Sequence, residues 1–408
     1  MKIIDGGISS PKGFKAAGVH CGIKKKRRDL ALIHSEMPAT CAIAYTQNKV
    51  KGAPLKVMMD LDPKQLQSFI INSGNANTLT GERGVADARN MVKRTADSLG
   101  VGEELVGVAS TGIIGRFLSM ENIMAGIPQV VGDLDEGRKK DVEAAQAILT
   151  TDTVIKEACC EVTLEDGTKV IVGGMAKGSG MISPAMKALH ATTLSFMTTD
   201  AVLSPEFDGK WQDVMDCSFN QIDVDGDQST NDMSVLMANG KAGGMCADDS
   251  DAFWEGVRYV AQMLAKQIAL DGEGATKLIS VNVRGAKSTQ DARKAARAIV
   301  SSNLVKTAIF GSDPNYGRIL CAVGYSGAEM VPEKINLAMG ANGTMIPIYE
   351  QGEPLIQTCG TGEGPLKELL KKKEIKITVD IGLGNSSAEA WGCDLSYEYV
   401  KINAEYTT

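Results

Sequence analysis

The chain has 408 residues, 43% hydrophobic and 23% charged, proportions ordinary for a globular protein and outside the disordered range. Its 43 Lys and Arg against 50 Asp and Glu give a formal charge of -7, and no basic run exceeds Lys24 to Arg28, which argues against a nucleic-acid surface. Nine cysteines without a CxxC and three histidines without an HExxH exclude a zinc site and read as reduced cytosolic thiols, so no metal is expected.

In chain order, Met1-Lys2-Ile3-Ile4-Asp5 reaches Gly6-Gly7 without the apolar core of a signal peptide, and no stretch attains membrane-spanning length. A cytoplasmic protein without membrane partners is therefore expected. Lys24 to Arg28 reads as a solvated loop or strand edge. Val85, Ala88, Val92, Ala96 and Leu99 recur at three- and four-residue steps until Gly100, which predicts a helix after Gly84. Gly178 and Gly180 form a short glycine turn, and with no GK[ST] anywhere it gives the backbone room instead of cradling a phosphate.

Thr192, Leu194 and Phe196 share one face of a period-two pattern, as in a half-buried strand. Asp223, Asp225, Asp227 and Ser229 alternate like calcium ligands. Their glycine is fourth instead of sixth, however, and Ser234 stands where the bidentate glutamate belongs, so calcium is not expected. Trp254, Val257, Ala261, Leu264 and Ile268 predict a second helix, ending before Gly272. Ser288 with Asp291 reads as a capping box opening a third, through Ala298. Ile279, Val281 and Val283 alternate, as do Ile375, Ile377, Val379 and Ile381, which predicts strands. The pattern, with 44 glycines, is α/β (α+β), long enough for two or more lobes, with no repeat or linker.

The chemistry concentrates at Ala191-Thr192. A small residue before a threonine, opening an alternating stretch in mid-chain, suits self-cleavage. The hydroxyl attacks the Ala191 carbonyl, an ester forms and hydrolyses, and Thr192 becomes a new N-terminus. Its free amine, with a pKa of roughly 7.7 to 8.0, then serves as base for its own hydroxyl. On local sequence alone, the strand reading of these residues is the favoured one.

Motifs along the whole chain decide between the two. They are Gly6-Gly7, Pro11-Lys12-Gly13-Phe14 with Ala16-Ala17-Gly18, Asn72-Ser73-Gly74-Asn75-Ala76-Asn77, Ser110-Thr111-Gly112-Ile113-Ile114-Gly115, Thr150-Thr151-Asp152-Thr153, and Gly173 through Ile182. Past Thr192 come Asp225-Gly226-Asp227 with Ser229 to Asp232, Gly272 to Lys277, Leu304 to Ala308, Asp313 to Ile319, and Ile402 to Thr408. In this ordered set the chain resembles the ornithine acetyltransferase family, the bifunctional glutamate N-acetyltransferase and amino-acid acetyltransferase of arginine biosynthesis. It departs between Pro184 and Ala191, where the loop is longer than the family usually has. Thr192 is preferred to Thr193 because Ala191 precedes it and the run to Thr198-Thr199-Asp200 then has the family's length.

The resemblance implies a two-lobed, self-processing N-terminal-nucleophile fold. Cleavage would divide it into an alpha chain, 1–191, and a beta chain, 192–408, intertwined and assembled as a heterotetramer of two of each. It implies acetyl transfer from N2-acetylornithine to glutamate through an acetyl-threonine ester on Thr192, with Thr111 and Gly112 as the oxyanion pair. Thr150, Lys177, Thr192, Glu273, Asn403 and Thr408 form the implied substrate-binding set. No cofactor is implied, and acetyl-CoA stays open as a co-substrate. His190 has no role in the family and is read as a loop residue. Two rivals use the same residues differently: a self-processing aminopeptidase or amidase that gives the acyl group to water, and an unprocessed binding or scaffold protein.

Overall fold

Period-two runs build the sheets. Ile279, Val281 and Val283 lie on Leu278–Ala286 and pair in parallel with Ile375, Ile377 and Val379 of Glu374–Asp380. The structure, a computed structural model, describes residues 1–61, 63–183, 193–356 and 364–405, and the backbone of Met186–Lys187. His190, Ala191, Thr192 and Thr408 lie outside the described residues.

Among the described residues the strands form two sheets. The larger has ten strands, in the order Lys2–Ile3, Lys156–Thr163, Lys169–Lys177, Leu194–Thr199, Met233–Ala238, Leu30–Thr46, Gln65–Asn75 and Val106–Ile113; Phe14–Val19 and Met186–Lys187 pair with Leu30–Thr46. The smaller has seven and runs from Ile222–Asp223 through Ser386–Cys393 and Leu278–Ala286 to the Glu353–Pro354 edge. Strands from the two sides of residue 191 are interleaved. Leu194–Thr199 and Met233–Ala238 lie together between Lys169–Lys177 and Leu30–Thr46, bonded to both.

Helices cover both faces of the larger sheet, as its fully buried central strands require. On one face Ala53–Leu61, Gly81–Leu99, Met120–Gly132 and Arg138–Ile148 pack a core that includes Phe69, Ile71, Leu194 and Phe196. On the other, Asp208–Asp216 and Asp251–Leu270 pack against Met197 and Leu236. The core under Asp251–Leu270 also takes in Leu278 and Trp391 of the smaller sheet, so this helix joins the two lobes. Its predicted stripe, Trp254, Val257, Ala261, Leu264 and Ile268, is wholly buried. Each large apolar side chain there contributes about 1.5–3 kcal/mol by leaving water.

The expected start at Ser288 holds, and Ser250 caps the helix expected from its apolar stripe alone. Ser250 accepts from the Phe253 N–H at the start of Asp251–Leu270, and Ser288 accepts from the Asp291 N–H at the start of Thr289–Ser301. The helix expected after Gly84 begins three residues earlier, as Gly81–Leu99, and ends on left-handed Gly100. Leu194–Thr199 departs further from expectation: it is buried on both faces, because both cores meet it. No described helix is long and apolar enough to cross a membrane.

Candidate active site

The C-terminal ends of three strands and the loop after the joining helix converge on one place. Val106–Ile113 carries Thr111 and Gly112 next to Ser73 and Gly74 of Gln65–Asn75. Gly112 has φ +130°, and a Cβ there would overlap Gly74 and lie 2.5 Å from the Asn75 nitrogen, so only glycine permits this approach. Asn231 anchors the turn from far along the chain. Its amide donates to the Ser110 carbonyl (3.0 Å) and the Ala76 carbonyl (2.5 Å), and its oxygen accepts from Thr78 and Thr230. Three stretches singled out in the sequence, around Asn75, Ser110 and Asn231, thus become one hydrogen-bonded unit.

Lys177, the last residue of Lys169–Lys177, donates from Nζ to Thr111 Oγ1 at 3.0 Å. A threonine hydroxyl has one proton to give, and an ammonium can only donate, so Thr111 accepts from Lys177 and keeps its own proton free for another acceptor. Thr111, expected in the oxyanion pair with Gly112, and Lys177, expected to meet a substrate carboxylate, are therefore in contact with each other.

A buried charged cluster supports this loop. Asp152 accepts from Lys156 Nζ (2.7 Å), the Gly178 N–H (2.7 Å) and the Thr150 N–H (2.9 Å). Lys156, buried, also reaches Asp271 at 2.6 Å, and Asp271 accepts from the Thr153 N–H at 3.0 Å. Burial raises the Asp152 carboxyl, but Lys156, Lys177 and the hydrogen bonds outweigh it and hold the group down at about 2. Thr150 therefore sits on the same carboxylate as the backbone of Gly178.

Asp271 ends the joining helix and leads into Glu273. Ser179 Oγ donates to the Asp271 carbonyl at 2.7 Å, and the Glu273 N–H donates to the Ser179 carbonyl at 2.9 Å. Gly180 faces the Glu273 side chain so closely that a Cβ would stand 2.5 Å from both carboxylate oxygens. Asn403, on Tyr397–Glu405, donates from Nδ2 to Glu273 Oε2 at 2.9 Å. Glu273 and Asn403, both in the implied substrate-binding set, thus meet against Gly180, three residues along the turn from Lys177. One turn thus carries a cation at Lys177 and meets a carboxylate at Gly180.

Sequence reasoning missed several members. Lys24 belongs to the run read as solvated; Lys25, Lys26 and Arg27 are exposed, but Lys24 turns inward. It lies over Gly74 and donates to the Leu149 carbonyl at 2.6 Å, and burial lowers its ammonium to about 8. Lys156 and Asp271 were missed because 115 positions separate them. A lysine opening the strand Lys156–Thr163, on the same period-two face as the apolar Ala158 and Cys160, was the available signal. Thr193 is a backbone outlier at φ +154°, a poor conformation for a β-branched residue, and its buried Oγ1 has no hydrogen-bond partner among the described residues. Among the described residues, no group of three or more His, Cys, Asp or Glu is placed to hold a metal.

Known proteins share this chain's sequence over its length. The ArgJ family model matches residues 15–408. The arginine biosynthesis bifunctional protein ArgJ of Bacillus licheniformis is 47% identical over 415 residues, covering 100% of this chain and 98% of that protein. That of Geobacillus kaustophilus is 48% identical over 419 residues, covering 100% and 97%. Among solved structures, ornithine acetyltransferase from Mycobacterium tuberculosis complexed with ornithine is 38% identical, covers 45% of this chain and 98% of its own, and has a TM-score of 0.43.

Proposed function

The chain belongs to the ArgJ family and is an acetyltransferase of arginine biosynthesis; from that premise we propose that it moves the acetyl group of N2-acetylornithine to glutamate through an ester on Thr192. The observation that carries the geometry is the Lys177 contact on Thr111, because it leaves a hydroxyl proton beside the Gly112 N–H. Two donors side by side suit an oxyanion, and such donors act more strongly in a water-poor site than in water.

The steps follow from the residues. Self-cleavage frees the Thr192 amine. Thr192 Oγ adds to the acetyl carbonyl of N2-acetylornithine while its proton passes to that amine. Thr111 and Gly112 hold the oxyanion; the amide C–N bond then breaks, the proton goes to the leaving nitrogen, and ornithine departs. The amine of glutamate attacks the acetyl-threonine ester, the C–O bond breaks, and N-acetylglutamate leaves with Thr192 restored. One pocket serves both half-reactions in a ping-pong cycle.

Both substrates share an amino-acid head, with an ammonium or a carboxylate at the distal end. Lys177, at the start of one turn, and Glu273, against Gly180 of the same turn, supply both signs of charge. Thr150, Asn403 and Thr408 complete the proposed substrate set. Acetyl-CoA is proposed as a second acetyl donor, and no resident cofactor is assigned. After processing, chains 1–191 and 192–408 stay together, since their strands are interleaved in one sheet, and two of each form a heterotetramer in the cytoplasm. The Thr193 outlier puts strain on the order of 1–3 kcal/mol next to the bond to be cut.

The test is a half-reaction. Mature protein incubated with N2-acetylornithine alone should release ornithine once per site, and the 192–408 chain should gain the mass of one acetyl group, removable by glutamate. Steady release of acetate with no dependence on glutamate would instead identify a hydrolase.

A further inference from the structure

Asp225 lies outside the residues given a role above, in the stretch whose oxygen spacing imitates a calcium loop. Its carboxylate is committed to backbone instead. Oδ2 accepts from the Met181 N–H at 2.7 Å, and Oδ1 accepts from the Ile182 N–H at 2.9 Å and the Asp227 N–H at 3.2 Å. The Val224 N–H donates to the Ile182 carbonyl at 2.7 Å, closing a ring between the two segments. Met181 has φ +56°, a left-handed conformation that a non-glycine residue keeps only when its surroundings hold it. Two consecutive N–H groups aimed at one carboxylate supply that hold. This segment is the same turn that begins at Lys177 and places Gly180 against Glu273.

The carboxylate also reaches the C-terminal helix. Tyr399 faces Asp225, and its phenol is raised by burial and then by the facing charges of Asp225, Asp227 and Glu273. The helix Tyr397–Glu405 has no buried residue, so apolar packing does little to fix it. Polar ties hold it: Ser396 Oγ to the Gly274 carbonyl (2.5 Å) and Asn403 to Glu273, with Tyr399 facing Asp225 beside them. Gly274 permits the approach, since a Cβ there would stand 2.5 Å from the Tyr399 nitrogen.

We propose that Asp225 is the positioning residue of the substrate pocket, clamping the Lys177–Ile182 turn and, through its charge facing Tyr399, steadying the helix that carries Asn403, so that Lys177 and the Glu273–Asn403 pair keep the spacing that a substrate spans. The inference rests on the substrate roles assigned above to Lys177, Glu273 and Asn403. Thr111 and Gly112 belong to the larger sheet and are held by Asn231, so loosening Asp225 acts on binding and spares the oxyanion donors.

The test compares mature, full-length wild type, Asp225→Asn, Tyr399→Phe and the double variant. Two readouts apply: steady-state kinetics with N2-acetylornithine and glutamate, and hydrogen–deuterium exchange of residues 397–405. Hydrogen bonds to a charged group predict a rise in KM of about tenfold or more for Asp225→Asn, with kcat within about threefold of wild type. Tyr399→Phe should shift KM in the same direction by a smaller factor, and the double variant should be no worse than Asp225→Asn. Exchange in 397–405 should accelerate in every variant while Leu278–Ala286 stays protected. If Asp225→Asn does not mature, Tyr399→Phe carries the test. Wild-type KM and exchange in Tyr399→Phe would overturn the proposal, as would a loss of kcat in Asp225→Asn that only tracks its folded fraction. A wild type that transfers no acetyl group from N2-acetylornithine would overturn the substrate reading, and exchange alone would then decide the clamp.

Discussion

Asp152→Asn removes a carboxylate with almost no access to water, 2% exposed, and replaces it with a neutral group of the same shape. In the folded protein the carboxyl lies at about 2 against an ordinary 3.8. At 1.36 kcal/mol per pKa unit, this difference corresponds to roughly 2–2.5 kcal/mol of stability. The substitution also leaves the fully buried Lys156 with Asp271 as its remaining carboxylate partner, and breaking a buried pair from one side typically costs about 3–5 kcal/mol. A loss of about 2–4 kcal/mol at neutral pH is therefore expected. The sign fixes its pH dependence: a depressed carboxyl stabilises fully above its unfolded pKa and loses that contribution as pH falls toward its folded one. Urea unfolding followed by circular dichroism should show a constant gap between wild type and variant above about pH 4, narrowing by about pH 3. A gap under about 1 kcal/mol at neutral pH, or one that does not narrow on acidification, would refute the reasoning.

The remaining predictions concern the site. Thr111→Val keeps the shape but removes the free proton, and kcat should fall by about 10²–10³ with little change in KM, as measured by glutamate-dependent ornithine release. Lys177→Ala and Glu273→Ala should weaken substrate use more than self-cleavage, with both measured on the same preparation; unchanged kinetics in either would remove that residue from the pocket. Gly180→Ala would push on the Glu273 carboxylate and should raise KM with chain processing intact, as judged by gel.

Elements whose partners follow from their own periodicity were readable before any coordinates. The Trp254 to Ile268 stripe specified a helix and its buried face, Ser288 specified where another helix starts, and alternation at Ile279 and Ile375 specified strands. Periodicity names a face, however, and not what lies on it. That Leu194–Thr199 has cores on both sides depends on helices contributed by distant segments. The same limit hid the supports of the site: Lys156 finds Asp271, and Asn231 finds Ser110, across more than a hundred positions. Lys24 looked like one more cation in a basic run, and only the bend of its loop over Gly74 turns it inward. The expected substrate set came from the ordered series of motifs resembling one family, and of its members the structure draws Lys177 to Thr111 and Glu273 to Asn403.

The central claim is that the chain cuts itself before Thr192 and works through the end it exposes. N-terminal sequencing of active protein tests this directly. Two series should appear, one starting Met-Lys-Ile-Ile and the other Thr-Thr-Leu-Ser, while Thr192→Ala should give the first series alone, an intact 43.2 kDa chain and no transfer. A fully active sample showing only the methionine start, or a Thr192→Ala chain that still divides and transfers acetyl groups, would contradict the account.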